Sequence, residues 1–369
     1  MTTPLPQRLL KATKQSPKSC FVGFDGFTDE IISVVDKRMG TDVATLIPTI
    51  NSLSSRLAAA AGHSCNLELL INQKKLGGNA PILANALLEA GHHITFSGTI
   101  GHPEAIEELF LDISSRCDRV IPLGPSAHSD ALEFEDGKVI LGKLEALMDI
   151  DYEHLITCIS EEELTQALDK CALFASVNWT MLPHMTSIWH SLCQHIFPRL
   201  KVRSKKPFFF VDFADPAKRT DNDLDEAIKA LQDIESFFDV VLGLNIAEAQ
   251  RFCDVCGISS SDSTLALSQT LHSHLSLSQV LIHDRADAAV SSKDGTTEVL
   301  AELCLKPKLS TGAGDNFNAG YCTGLLFDFS CEDALLLAMA TGGYYIREGK
   351  SPSMEDLSKY LSEHPIRVC

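Results

Sequence analysis

Positive charge is scarce in this chain: Lys and Arg number 31 against 49 Asp and Glu, a formal net charge of −18 over 369 residues. That balance disfavours nucleic acid and anionic membrane surfaces as main partners. It leaves room for a small phosphate ligand, which local amides and one or two cations can hold. Long apolar runs are missing too. The longest, "FFFV" and "ALLLAMA", fall far short of the ~18 residues of a membrane span. The opening "MTTPLPQRLLKATKQSPKSC" has no apolar core of the kind a signal peptide carries. The 12 cysteines follow no spaced framework, so reduced thiols in a cytoplasm are the expectation. Cys253 and Cys256 form a single CxxC, and His272 and His274 are wrongly spaced to complete a zinc site. Those thiols read as one helix face in the core. No repeat, low-complexity tract or flexible linker occurs, and no GxxxxGK[ST] loop.

What is present is a regular alternation. After an opening helix that ends near Pro17, "SCFVGF" reads as a buried strand running into the loop "DGFTD". "EIISVVDKR" and "NLELLIN" read as strands, "NAPILANALLEAG" as a helix closed by Gly91, and "HITFSGTIG" as a strand. "VATLIPTINSLSSRLAAAAG" has a helical pattern interrupted by Pro48. "DALEFEDGKVILGKL" predicts a β-hairpin turning at Asp136-Gly137. From about Glu161, helices alternate with short apolar strands: "LFASVN", "PFFFVDF", "VVLGLN", "VLIHD" and "AAVSS". That alternation predicts a mainly parallel sheet covered on both faces. The basic run "RLKVRSKKP" reads as a solvated helix end. Strands near 29–38, 66–72 and 130–143 stand outside the alternation and suit a small separate sheet.

Near the C-terminus, "KLSTGAGDNFNAGYCTGLL" sets Gly312 and Gly314 just before Asp315 at the start of a helical pattern. Glycines there suit a turn with unusual φ or a close backbone approach. Asp315 either complements the helix dipole or acts beside an anion held on the helix amides.

The motifs then converge. "STGAGDNFNAG" resembles the C-terminal signature of the ribokinase-like (PfkB) carbohydrate kinases, and "GGNAPILANALLEAG" their N-terminal glycine-glycine signature. "LGLNIAEA" matches their Asn-x-x-Glu motif at Asn245 and Glu248, and "FVGFDGFTDEI" resembles their first strand with its substrate-binding aspartate. The order of these motifs, from Val22 to Pro352, makes the resemblance specific. It implies one ribokinase-like α/β domain over 1–369: a central, mostly parallel sheet flanked by helices, with a small β-sheet lid. It implies transfer of the γ-phosphoryl group of ATP, with Mg2+, to a hydroxyl of a sugar or sugar-like substrate. A homodimer through the lid is a further expectation.

Phosphoryl transfer needs alignment, charge neutralisation and a proton acceptor more than covalent help. Asp315 is the candidate base, and the amides of Gly312, Ala313 and Gly314 the candidate phosphate cradle. Asn245 and Glu248, one turn apart, are candidates to order the waters of Mg2+. Thr311 and Arg285, with Asn245 and Glu248, are candidates for the nucleotide. Asp29, the better fit to the motif register, and Asp25 follow the first strand, where open sheets place ligands. Gly77, Gly78, Asn79 and Asn178 complete the candidate acceptor site. Asp212 and Asp215 end another strand and face either a cleft or a loop.

Several positions depart from the family pattern. Ile82 stands where an Asn is usual, so a hydroxyl contact is missing or has moved, with Asn79 as its candidate replacement. Leu309 replaces an Asp that helps hold a monovalent cation. "HDRADA" puts His283, Arg285 and Ala288 in place of a Thr-x-Gly-x-x-Gly turn near the nucleotide, and Ala217 an Asn. These departures keep two alternatives open: a nucleoside kinase of the same fold, and a non-catalytic sugar- or nucleotide-binding regulator.

Overall fold

The short apolar runs become the strands of one wide sheet. The computed structural model describes residues 4–12 and 17–369. Strands Arg119–Gly124, His93–Thr99, Ser19–Gly23, Leu173–Val177, Phe208–Asp212, Asp239–Asn245 and Gln279–His283 lie side by side in that order, all parallel. Antiparallel strands Asp287–Ser292, Gly295–Leu300 and Arg367–Val368 extend one edge, and two short strands the other, to give a 12-stranded sheet.

Both faces are covered, so the central strands need no polar side. Phe21, Phe174 and Phe209 are register partners and bury on one face with Trp189. Val22, Ala175 and Phe210, their neighbours in sequence, bury on the other with Phe96. This explains runs such as "FFFV": a strand covered twice has no reason to alternate.

The helix Ala313–Leu326 is buried from Asp315 to its end. It lies along Cys331–Glu348 so closely that a Cβ on Gly320 would stand 2.5 Å from Thr341 Oγ1, and one on Gly324 2.6 Å from Ala334 Cβ. Glycine spaced four residues apart allows this contact and fixes where the N-terminus of the helix, and with it Asp315, sits.

A second, 5-stranded sheet stands apart. Its longest strand, Phe27–Met39, pairs antiparallel with Glu68–Gly77 and Val43–Leu46, and parallel with Ala127–Phe134, which hairpins into Gly137–Lys143.

Four expectations need correction. Val43–Leu46 is a strand, and the helix begins only at Ile50. Pro48 holds the residue before it to extended backbone, and Thr49 Oγ1 caps the later helix by accepting from Ser52 N at 3.0 Å. The Asp136-Gly137 turn is shifted by one: Gly137 already pairs with Phe134, leaving Glu135 and Asp136 as the loop. "VLIHD" and "AAVSS" form an antiparallel hairpin, because 284–286 are too few residues for a parallel crossover. The basic stretch after Arg199 has no regular structure and leads straight into Phe208–Asp212.

Candidate active site

The C-terminal ends of the parallel strands deliver the polar residues. Asp25, in the turn after Ser19–Gly23, is fully buried. Its carboxylate accepts from Asn79 N at 3.0 Å, Ala80 N at 2.8 Å and Asn178 Nδ2 at 2.6 Å. It therefore caps the N-terminus of the helix Asn79–Glu89 and ties it to the end of Leu173–Val177. Burial pushes Asp25 up to about 6, with Asn178 and the two amides opposing. Gly78, with φ 94°, sits so close that a Cβ would stand 3.0 Å from Asp25 Oδ2.

Asn79 links this cap to the far end of the chain. Its Nδ2 donates to Asp315 Oδ1 at 2.8 Å. Asp315 lies in the first turn of its helix, behind the N-cap Gly312 with φ 90°. Burial pushes its carboxyl up to about 8; Asn79 opposes, while the charges of Asp25 and Glu248 add to the rise. Asn316 Nδ2 donates to Gly312 O at 2.9 Å, and Tyr345 Oη to Thr311 O at 2.9 Å, so the glycine loop is held from two sides. Ile82 packs on this loop: its Cδ1 and Cγ2 stand 3.1 and 3.3 Å from where a Gly312 Cβ would be.

Asp29 enters from the small sheet, on Phe27–Met39. It accepts from the Ser129 hydroxyl of the neighbouring strand. Gly77 lies against it: a Cβ there would come within 2.4 Å of the carboxylate. Burial raises its pKa, opposed by Ser129 and by Lys75.

Asn245 and Glu248 form a reciprocal cap at the start of Ile246–Cys256. Asn245 Oδ1 accepts from Glu248 N at 3.0 Å, and Glu248 Oε2 accepts from Asn245 N at 2.9 Å. Glu248 Oε1 accepts from Asp215 N at 2.9 Å. Both carboxylate oxygens thus hold backbone, and each keeps a lone pair for a water. Asp212 completes this acidic corner; its oxygens accept from Ala214 N at 3.0 Å and Asn318 Nδ2 at 2.9 Å. Burial raises Asp212 well above the carboxylate range, with the charges of Glu248 and Asp315 adding. Glu248 is raised by burial too, opposed by the amides it holds.

A Mg2+ ion fits this donor chemistry through water. Among the described residues no group of three or more His, Cys, Asp or Glu is placed to bind a metal directly. Mg2+ dehydrates reluctantly and takes few protein ligands beside substrate phosphates. The clustered carboxylates would gain from its charge.

Beyond the glycine loop opens a cleft of about 650 Å³ lined by Asn245, His283, Arg285, Ser310, Ala313 and Gly314, among others. His283 and Asn245 are register partners on adjacent strands. The His283 ring leans on Phe317, centroids 4.7 Å apart, and burial lowers its pKa to about 4. Arg285 stands exposed on the cleft wall.

The fold thus gathers Asp25, Gly77, Gly78, Asn79 and Asn178 on one side of Asp315, with Asp29 from the small sheet, and Asn245, Arg285 and the glycine loop around the cleft. Thr311 turns its carbonyl to Tyr345. Asn316, Asn318 and Tyr345 are participants that the motifs did not announce. For the asparagines a signal existed: amides in a helix stretch that is otherwise apolar and small. Tyr345 gave none. Cys253 and Cys256 do sit on one helix, and burial raises both thiols, away from the thiolate a metal needs.

A family model described as prokaryotic ketohexokinase matches residues 6–364. A ketohexokinase from Haloferax volcanii is 25% identical over 342 residues, covering 92% of this chain and 90% of that protein. Among solved structures, a ribokinase from Thermotoga maritima superposes with a TM-score of 0.63 at 14% identity, over 93% of this chain and 98% of that one. An Arabidopsis thaliana ribokinase complexed with ribose and ATP gives 0.61 at 16% identity, over 94% and 99% of the two chains.

Proposed function

This chain belongs to the prokaryotic ketohexokinase family, and we propose that the sugar it phosphorylates is a ketohexose. It is a carbohydrate kinase of the ribokinase fold, moving the γ-phosphoryl group of ATP to a sugar hydroxyl. The observation that supports our assignment of roles is the position of Asp315, between the Asp25–Asn79–Asp29 side and the 650 Å³ cleft.

In this reading ATP lies in the cleft, its polyphosphate toward Ala313, Gly314, Asn245 and Arg285, and the sugar lies between Asp29 and Asn79. The acceptor oxygen attacks the γ-phosphorus, the bond to the departing ADP oxygen breaks, and the hydroxyl proton passes to Asp315. A base whose pKa sits near neutrality is matched to that task. The amides of Gly312, Ala313 and Gly314 stabilise the charge on the transferring group. Mg2+, when bound, would neutralise polyphosphate charge; Glu248 and Asn245 would hold its waters, with Asp212 alongside.

The small sheet acts as a lid of the single domain, carrying Asp29 onto the sugar. Its strands expose Met39 (61%), Ile71 (51%) and Ile140 (60%), apolar surface that suits a homodimer through the lid. No described helix is long and apolar enough to cross a membrane. The cysteines are all free, which suits a cytoplasmic setting.

ADP release coupled to a sugar and nucleoside panel tests the assignment. A ketohexose should exceed aldoses, polyols and nucleosides by at least tenfold in kcat/KM. Preference for a nucleoside would replace the reading with a nucleoside kinase. Binding without turnover of any acceptor would make the chain a regulator.

A further inference from the structure

We propose that residues 364–367, which follow the helix Met354–Glu363, are part of the nucleotide site and form a wall on which the base and ribose of ATP rest. The proposal depends on the placement of ATP in the 650 Å³ cleft given above. All four residues line that cleft, with Leu300, Leu303 and Ile346. This lining is mainly apolar, as a flat base requires, whereas the glycine loop offers its amides to phosphate. The sheet sets the wall in place. Asp287, Leu300 and Arg367 are register partners across three strands, and Ala301 N donates to Ala286 O at 2.7 Å. That row carries the wall from the turn bearing Arg285 out to residue 367.

Three anchors hold the segment. Its strand Arg367–Val368 pairs antiparallel with Gly295–Leu300, and Cys369 N donates to Glu298 O at 3.0 Å. Ile366 is half-buried and packs against two of the hydrophobic clusters. The His364 ring stacks on Tyr360, centroids 4.2 Å apart and planes at 11°. Tyr360 Oη in turn accepts from Arg347 Nη1 at 3.0 Å, and Arg347 Nη2 donates to Glu302 O at 3.2 Å. The helix Cys331–Glu348, the loop at Glu302 and residues 364–367 are thus tied into one wall.

These anchors are weak beside those of the central strands. The pairing spans two residues, and Arg367 and Val368 are both exposed. Such a segment opens locally at a much lower cost than the sheet core. A ligand that packs on the closed wall, and is lost when the wall opens, slows that opening by about 100-fold at 100 times its Kd. Residues 364–367 supply only part of the site, so the ligand keeps other contacts on opening and a slowing of at least about fivefold is expected.

The test is amide hydrogen exchange of the full-length enzyme with a non-hydrolysable ATP analogue and Mg2+, with inorganic tripolyphosphate and Mg2+, and with D-fructose alone. The analogue should slow exchange of peptides covering 364–369 at least about fivefold, while tripolyphosphate and D-fructose leave it within about twofold. If the analogue slows peptides covering 310–326 and leaves 364–369 unchanged, the inference is overturned and the placement of ATP stands. If tripolyphosphate slows 364–369 as much as the analogue does, the contact is not with base and ribose, and the inference is overturned as well. No slowing at either place would sink the placement of ATP first, and this inference with it. Kinetics give a second readout. Deletion of residues 365–369 should raise KM for ATP at least about tenfold and change kcat and KM for D-fructose by less than about threefold, in protein shown by its melting curve to be folded. A folded deletion variant with the wild-type KM for ATP also overturns the inference.

Discussion

Burial raises the Asp315 carboxyl above the usual carboxylate range, and the charges of Asp25 and Glu248 add to the rise. Its folded pKa of about 8 lies above the ~3.9 of an unfolded chain. Between those values the folded state holds the extra proton, so this group makes stability fall as pH rises from about 4 to 8. Asp315→Asn removes that penalty and keeps an oxygen for Asn79. It should raise Tm clearly at pH 8 and less at pH 5, by calorimetry at both; an equal rise at both would contradict the burial of this charge. Glu248 predicts the opposite balance. Its oxygens hold the amides of Asn245 and Asp215, and Gln would turn a donor toward one of them. We expect Glu248→Gln to lose about 1–3 kcal/mol by urea denaturation and to need more Mg2+ for half activity. A stability loss with an unchanged Mg2+ titration would leave the motif as a helix cap only. Motif residues such as Asp315 and Glu248 were legible in the sequence because glycine spacing and the Asn-x-x-Glu register mark them. The Asn79–Asp315 bond was not, since it joins residues 236 apart through a geometry that only the packed helices create.

In the proposed reading the small sheet and the glycine loop are the elements that would carry substrate selectivity. Asp29 sits on a strand of the small sheet, away from the cleft, so Asp29→Ala should weaken acceptor binding at least tenfold more than ATP binding in calorimetry. Equal losses would point to a general disturbance of the fold instead. Leu309, half-buried ahead of the loop, brings no carboxylate to a monovalent cation. Exchanging sodium for potassium at fixed ionic strength should change kcat/KM by less than about threefold, under ~0.7 kcal/mol; a tenfold potassium-specific gain would show that another group supplies the missing charge. Elements buried on both faces were the easiest to read, because "FFFV" has one use in a protein of this kind. The small sheet was harder. Glu68–Gly77 continues through "QKKLG" with most side chains exposed, so no alternation extended it to its true length. Val43–Leu46 was hidden because its pairing with Phe27–Met39, not its own pattern, makes it a strand.

At the scale of the whole molecule, a net charge of −18 coexists with a site for a polyanion. In the proposed reading the resolution is local: helix amides at Gly312–Gly314 and Arg285 beside the cleft would serve the phosphates, while the carboxylates Asp212, Glu248 and Asp315 gather on the adjoining side. Asp212 and Asn245 end strands of the large sheet, the glycine loop and Asp315 open the helix Ala313–Leu326, and the small sheet adds Asp29 from outside. Everything in this account depends on Asp315 taking the proton of a sugar hydroxyl. The most direct test is single-turnover ADP formation with saturating ATP, Mg2+ and D-fructose, comparing wild type with Asp315→Asn whose circular dichroism matches. The account predicts a rate lowered by about 10²–10⁴-fold. A folded Asp315→Asn enzyme that forms ADP at the wild-type rate would contradict it.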